Sequence, residues 1–265
     1  LAHVHELTGA AKSSLEERLS FLWKLCITSG LYTALSAAAL AYVCMKLEGA
    51  PVSKKLLLLA GLFVLSLHMA NRAEEKGTAS PDKAKHMLFI RFKSRTKFAA
   101  ILSGALAVLL AATLGPQVLL PTAFFWGAGM IYPYKLPIGF AKFANFPASK
   151  DIVTALGWAF VCAYAPGLWH GSILFKSTHL AVTFAALLVF IRSVMFGISH
   201  AHSDMIVGKE NFYKAAGPKF TYLALFAMFI FLETTLVLLM NMGLKPHLAP
   251  ALFTGLFYYQ ALMLV

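Results

Sequence analysis

The chain has 265 residues, of which 59% are hydrophobic and 13% charged, and its formal net charge is +12. A soluble domain carries about 25% charged residues, so this composition excludes an ordinary soluble protein. The positive charges lie in loops between long apolar runs and form no basic face. This placement excludes a nucleic-acid-binding protein and favours charges that set membrane topology or attract anionic lipid and phosphate groups.

Apolar runs of helical length predict an all-α integral membrane protein with eight transmembrane helices. We expect residues 1–265 to form a single domain, with a polar lead-in over 1–18. Gly115-Pro116 predicts a tight turn between spans three and four. Asp151 is expected to cap span five. The predicted spans are, in chain order, 19–45, 56–69, 98–114, 117–132, 151–169, 179–200, 220–242 and a final one from Pro246 to Val265.

The loops alternate in charge along the chain. Most of the 23 lysine and arginine residues lie in the lead-in and in the loops after spans two, four and six. The positive-inside rule therefore predicts that the amino terminus and these three loops are cytoplasmic, in a bacterial-type inner membrane. Polar clusters follow span two and span six, four spans apart on the same face. This regularity predicts two four-helix halves around a central cavity.

The first polar cluster follows span two, where Arg72 stands among acidic and amide side chains. Such oxygen donors suit a hard cation such as Mg²⁺, especially one that is shared with phosphate groups. The alternative is an ordinary solvated loop whose charges only set topology. The candidate metal ligands here are Asn71, Glu74, Glu75 and Asp82.

The second cluster is FIRSVMFGISHAHSDMIVGKEN, over residues 190–211. Arg192, Phe196 and His200 are four residues apart and therefore lie along one helix face. A cation inside an apolar span needs an anionic partner, which can be a carboxylate, a phosphate or a lipid head group. His200 and Asp204 are expected to ligate a metal or orient a substrate. The alternative is that Arg192 pairs with a carboxylate on another span or reaches the membrane interface.

The third cluster lies between spans four and five and contains Tyr132, Lys135, Lys142 and Lys150. Lysines in this loop can meet a diphosphate as point charges, whereas the alternative is that they only anchor the loop to lipid head groups. The sequence HAHSD superficially indicates zinc, but no second ligand cluster with metal spacing accompanies it, which disfavours a zinc site.

Together these motifs resemble the UbiA superfamily of intramembrane prenyltransferases, helical proteins usually of nine spans with aspartate-rich loops after spans two and six. The stretch over 190–211 resembles the family's second motif. SKDIVTALGWAF, over 149–160, resembles its lysine-led entry into span five, and Tyr132 resembles a tyrosine placed before that entry. The resemblance implies transfer of a polyprenyl group from its diphosphate to an aromatic or lipid acceptor, in quinone or related isoprenoid lipid synthesis, with Mg²⁺.

The chain also departs from the family's pattern. Arg72 and Ala79 replace aspartates of the first motif, and Gly197 and His200 replace aspartates of the second. These losses favour a second interpretation, a catalytically silent relative that binds a quinone, isoprenoid or lipid, or serves as a membrane subunit of a larger complex. The roles that the resemblance implies are catalytic for Asp204, Arg192 and Lys135, diphosphate-binding for Arg72, Lys142, Lys150, Lys209 and Tyr132, and metal-binding for Asn71, Glu74, Glu75, Asp82, His200 and Asp204.

Overall fold

A computed structural model describes residues 30–74, 93–132, 148–173, 176–199 and 212–241, and its regular secondary structure in these ranges is entirely helical. The helices are α1 (Leu31–Leu47), α2 (Lys54–Glu74), α3 (Lys93–Ala112), α4 (Pro116–Ile131), α5 (Ser149–Ala159), a π-helical turn (Phe160–Tyr164), α6 (Ala165–His170), α7 (Lys176–Ser199), α8 (Phe212–Ala216) and α9 (Pro218–Asn241).

Five helical segments are long and apolar enough to cross a membrane, and α1 is a shorter apolar helix. The protein is therefore an all-α integral membrane protein, as the sequence predicts. The helices occupy predicted spans two to seven and the second half of span one; the start of span one and span eight lie outside the described residues. The five segments are 54–73, 93–112, 149–170, 176–198 and 218–238.

The helices pack in two groups. In the first, α1 packs on α2, α2 on α3, and α3 on α4, whereas in the second α7 packs on both α5 and α9. The groups join where α1 and α2 contact the π-helical turn and where α4 contacts α6. Large apolar side chains cover the outward faces, among them Phe98 and Leu109 on α3 and Leu223 and Phe226 on α9. In a bilayer these faces meet lipid tails.

Small residues bring α3 close to its neighbours. The buried face of α3 carries Ala100, Ser103, Gly104, Ala107 and Ala111, which follow the period of the helix. Inside a membrane, packing and interhelical hydrogen bonds drive helix association, and small side chains let two backbones approach closely. This face therefore explains why α2, α3 and α4 form one tightly packed layer.

Predicted span five is one continuous helical path with a π-helical turn at its centre. Phe160 in that turn stacks on Phe125 of α4, with ring centroids 4.4 Å apart, and lies 6.1 Å from the ring of Phe63 on α2. The extra residue of a π turn rotates the side chains that follow it relative to an ideal helix. Here the turn places one buried aromatic ring between the two helix groups.

Two local predictions differ from the structure, and one is confirmed. Helix α5 begins at Ser149 after Ala148, which has a left-handed backbone, so the predicted capping role of Asp151 is wrong. Asp151 lies within the first turn and bonds other elements instead. The predicted loop over 201–219 contains α8 and the first residues of α9. The turn at Gly115 is confirmed, since α4 begins at the following proline.

Candidate functional site

Three basic side chains converge where the end of α2, the start of α5 and the end of α7 meet. Arg72, Lys150 and Arg192 all lie close enough to the ring of His68 to act on it electrostatically. They come from the ends of three helices that are far apart in sequence. Three like charges gathered in one place favour the binding of an anion that carries several negative charges, such as a phosphate group.

His68 is within electrostatic reach of all three members of this cationic cluster, which we define as Arg72, Lys150 and Arg192. It is one helical turn before Arg72 on α2, and its ring packs against the backbone of Gly30. A Cβ added at Gly30 would lie 2.9 Å from His68 Cδ2, and Gly30 has a φ of 77°. Sequence reasoning missed His68 as a site residue, because an isolated histidine in an apolar span gives no indication of its neighbours.

The guanidinium of Arg192 lies between two aromatic rings. Its Cζ atom is 5.2 Å from the ring centroid of Trp158 on α5 and 5.1 Å from that of Phe196 on α7. The contact with Phe196 confirms that these two residues share a helix face. A guanidinium over aromatic faces gains cation–π energy, most when it is shielded from water. The two rings therefore fix where the positive charge of Arg192 lies.

A buried carboxylate joins α5 and α7, two of the three helices that carry the cationic cluster. Asp151 is 2% exposed. Its Oδ1 accepts a 2.5 Å hydrogen bond from the Ser193 hydroxyl of α7, and its Oδ2 accepts a 2.8 Å bond from the backbone N–H of Phe212 at the start of α8. The ammonium group of Lys150 also interacts with this carboxylate. One side chain thus connects the starts of α5 and α8 to α7 beside Arg192.

The neighbouring Ser149 makes a similar connection to α4. The hydroxyl groups of Tyr132 and Ser149 are 3.0 Å apart and hydrogen-bonded to each other. Ser149 is completely buried. Tyr132 follows α4 directly, so this bond joins the two ends of the chain segment over 133–147. The predicted site residue Tyr132 therefore lies against the first turn of α5, next to Lys150.

Only some of the other predicted site residues belong to the described ranges. Asn71 lies in the last turn of α2 and Glu74 is its last residue. Within the described ranges, no group of three or more histidine, cysteine, aspartate or glutamate side chains could hold a metal ion. Of the six predicted metal ligands, only Asn71 and Glu74 belong to these ranges, so Mg²⁺ binding stays a prediction. Outside the described residues lie Glu75, Asp82, Lys135, Lys142, His200, Asp204 and Lys209.

This arrangement defines a helical membrane protein with a cluster of cations at one end of its bundle. A search of solved structures matches it to "a UbiA homolog from Archaeoglobus fulgidus bound to DMAPP and Mg2+", with a TM-score of 0.62 and 14% sequence identity. The match covers 88% of this chain and 84% of that one. The chain therefore has the fold of that UbiA homolog, as the sequence motifs indicate. No family model matches the sequence, and no curated protein matches it.

Proposed function

We propose that the protein is a UbiA-like prenyltransferase, which moves a polyprenyl group from its diphosphate to an aromatic or lipid acceptor. The observation that carries this proposal is the convergence of Arg72, Lys150 and Arg192 at one end of the bundle. The fold is shared with a protein whose structure contains the prenyl diphosphate DMAPP. A prenyl diphosphate has an apolar tail and a polyanionic head, which matches an apolar bundle that ends in a cationic cluster.

The cationic cluster supplies the electrostatic part of the reaction. The allylic C–O bond breaks and its electron pair leaves with the diphosphate, while the acceptor donates the electron pair of the new bond and releases a proton. Positive groups fixed near the leaving oxygens stabilise the charge that develops there. Arg192 can contact two phosphate oxygens at once because its guanidinium is planar, and Lys150 acts as a point charge.

Mg²⁺ remains a prediction of the resemblance. Its proposed ligands are Asn71, Glu74, Glu75, Asp82, His200 and Asp204. Dependence of turnover on added Mg²⁺, lost in Asp204→Ala, would support that assignment. Diphosphate binding that persists after chelation would assign the head group to the cationic cluster instead.

A second function is favoured by the charge of the cluster itself. The motif position of Arg72 holds an aspartate in the resembling family, and in this chain it adds a third cation beside Lys150 and Arg192. Cations without clustered carboxylates bind a diphosphate more readily than they hold a metal that activates it. A silent relative that holds an isoprenoid, quinone or lipid, alone or within a larger membrane complex, has this property.

We further propose that the cationic cluster faces the cytoplasm of a bacterial-type cell, with the protein in the inner membrane. The proposal rests on the positive-inside rule applied to the loops after spans two, four and six. Single-cysteine labelling of intact and permeabilised cells tests it. Cysteines placed at Lys83 and Ser53 should react from opposite sides, the first only after permeabilisation.

The decisive experiment incubates purified protein with prenyl diphosphates of different length and with aromatic and lipid acceptors, with and without Mg²⁺. Product formation that falls in Lys150→Gln but not in Lys176→Gln supports the transferase. Lys176 is the matched control, because it is an exposed lysine in the first turn of α7 at the other end of the bundle. Tight diphosphate binding without any product, under all conditions, supports the silent relative and overturns the enzyme.

A further inference from the structure

The first turn of α5 makes hydrogen bonds to three other elements at the end of the bundle that carries the predicted anion-binding residues. Ser149 bonds Tyr132 at the end of α4, Lys150 belongs to the cationic cluster, and Asp151 bonds Ser193 and Phe212. The three residues are consecutive in the sequence. This turn therefore holds α4, α7 and α8 in register at one end of the bundle.

Asp151 and Ser193 each come directly after a member of the cationic cluster. Lys150 precedes Asp151 on α5, and Arg192 precedes Ser193 on α7. The hydrogen bond between Asp151 and Ser193 consequently sets how far apart the backbones of Lys150 and Arg192 lie. A buried hydrogen bond to a charged group holds such a distance firmly, because breaking it leaves a charge without a partner in an apolar surrounding.

A second contact between the same helices depends on this register. Trp158 lies two helical turns after Asp151, so both residues lie on one face of α5. The ring of Trp158 contacts the guanidinium of Arg192, one residue before Ser193. The hydrogen bond and the cation–π contact thus form one strip along the α5–α7 interface.

We propose that Asp151 is the positioning residue of the anion site: by holding Ser193 and the backbone of Phe212 against α5, it fixes the distance between Lys150 and Arg192 that a diphosphate requires. The inference rests on the proposed function, since it concerns the same anion site. Asp151 itself does not contact the anion, because like charges repel. Its effect on binding passes through the placement of Lys150 and Arg192.

The test measures binding of inorganic pyrophosphate to the detergent-solubilised full chain by calorimetry. Asp151→Ala and Ser193→Ala are expected to weaken binding about 10-fold, the effect of losing one buried hydrogen bond. Ser193→Thr keeps the hydroxyl and should restore the affinity. Thr154→Ala is the matched control, because the Thr154 hydroxyl bonds the Lys150 carbonyl one turn earlier on its own helix and no other described helix. It should leave the affinity unchanged.

A spectroscopic measurement separates positioning from general loss of structure. The fluorescence of Trp158 is obtained as the difference between each variant and the same variant with Trp158→Phe. Removing the Asp151–Ser193 bond should shift this emission as Arg192 moves from the ring, whereas Thr154→Ala should not. Ser193→Ala removes a single hydroxyl group and keeps the test available if Asp151→Ala does not fold.

The outcomes separate the two proposals. If the unmodified protein binds no pyrophosphate, the proposed anion site is wrong, and the Trp158 emission of Ser193→Ala then decides only whether the Asp151–Ser193 bond holds Arg192 against Trp158. A shifted emission supports that placement and an unchanged emission overturns it. If the unmodified protein binds pyrophosphate and both variants bind equally well with unchanged emission, Asp151 does not position the site.

Discussion

The indole N–H of Trp126 donates a 2.9 Å hydrogen bond to the hydroxyl of Ser66, which itself donates a 2.6 Å bond to the backbone carbonyl of Ala100. Ser66 is on α2, Ala100 on α3 and Trp126 on α4, so one buried hydroxyl joins three helices. Water is scarce inside a bilayer, and a polar group that loses its partner there has little to replace it. This short chain of bonds should therefore contribute to the stability of the first helix group.

Replacing Ser66 with alanine leaves the Trp126 N–H without its acceptor. We expect the variant to lose about 1–2 kcal/mol of unfolding free energy, as for other buried hydrogen bonds. The measurement is unfolding in detergent, monitored by circular dichroism. A double-mutant cycle with Trp126→Phe isolates the bond, because Ser66→Ala should cost less when the indole N–H is already absent. Equal costs in both backgrounds would show that the bond contributes nothing.

The contact between Gly104 and Trp126 gives a prediction about packing. A Cβ at Gly104 would lie 2.1 Å from Trp126 Nε1 and 2.3 Å from its Cε2 atom, so the indole would have to move away from Ser66. We expect Gly104→Ala to destabilise the protein by about 1–3 kcal/mol, the usual range for overpacking.

Gly127 on α4 is the matched control for Gly104, because a Cβ at this position would meet no atom of the described residues within 4 Å. Gly127→Ala should therefore leave the protein as stable or slightly more stable, since alanine favours the helix. Equal unfolding midpoints for the two variants would contradict the packing that the structure shows between α3 and α4.

The helical membrane fold could be predicted because its pattern is local. Runs of apolar residues identify spans without knowledge of their partners, and the turn at Gly115 is read from two adjacent residues. The contact of Arg192 with Phe196 also follows from spacing along one helix. These features depend on residues that are near each other in the sequence. Over such short distances, helix geometry determines on which face of the helix each side chain lies.

Contacts between distant segments could not be predicted in this way. Asp151 looks like a helix cap because it precedes an apolar run, and nothing in the sequence indicates that its partners lie 42 and 61 residues further on. His68 is likewise an ordinary histidine until tertiary packing brings Lys150 and Arg192 to it. The site therefore depends on pairings that only the folded chain reveals.

Because Arg192 lies against two aromatic rings, we predict that a positive charge at this position is not sufficient for anion binding. Arg192→Lys keeps a cation but loses the planar group that lies over Trp158 and contacts oxygens in pairs. We expect pyrophosphate affinity to fall about 10-fold, which corresponds to about 1.4 kcal/mol. The control is Arg95→Lys, an exposed position in the first turn of α3. Unchanged affinity in Arg192→Lys would mean that Arg192 acts only through its charge.

Glu48 provides a prediction about pH at the other end of the bundle. It follows α1, outside the membrane-spanning segments, and is 9% exposed. Neither carboxyl oxygen has a hydrogen-bond partner within the described part of the chain. Its Oε2 lies 3.7 Å from the position that a Cβ on Gly167 would take, so the carboxyl packs against α6. Burial raises the pKa of Glu48 from 4.5 to about 8.

The sign of the resulting pH dependence follows from proton binding. Between pH 4.5 and about 8 the folded protein keeps a proton on Glu48 that the unfolded chain has released. Unfolding then releases a proton, so the contribution of Glu48 to stability falls as pH rises, by at most about 1.4 kcal/mol per pH unit. Below pH 4.5 both states are protonated, and above about pH 8 both are ionised, so the contribution levels off at each end.

Glu48→Gln removes the ionisation but keeps the size of the side chain. We expect the variant to gain stability relative to the unmodified protein as pH rises from 5 to 8, because a neutral amide never has to bury a charge. The measurement is the unfolding midpoint in detergent at each pH, compared between the two proteins. Parallel pH profiles for Glu48→Gln and the unmodified protein would contradict a buried, protonated Glu48.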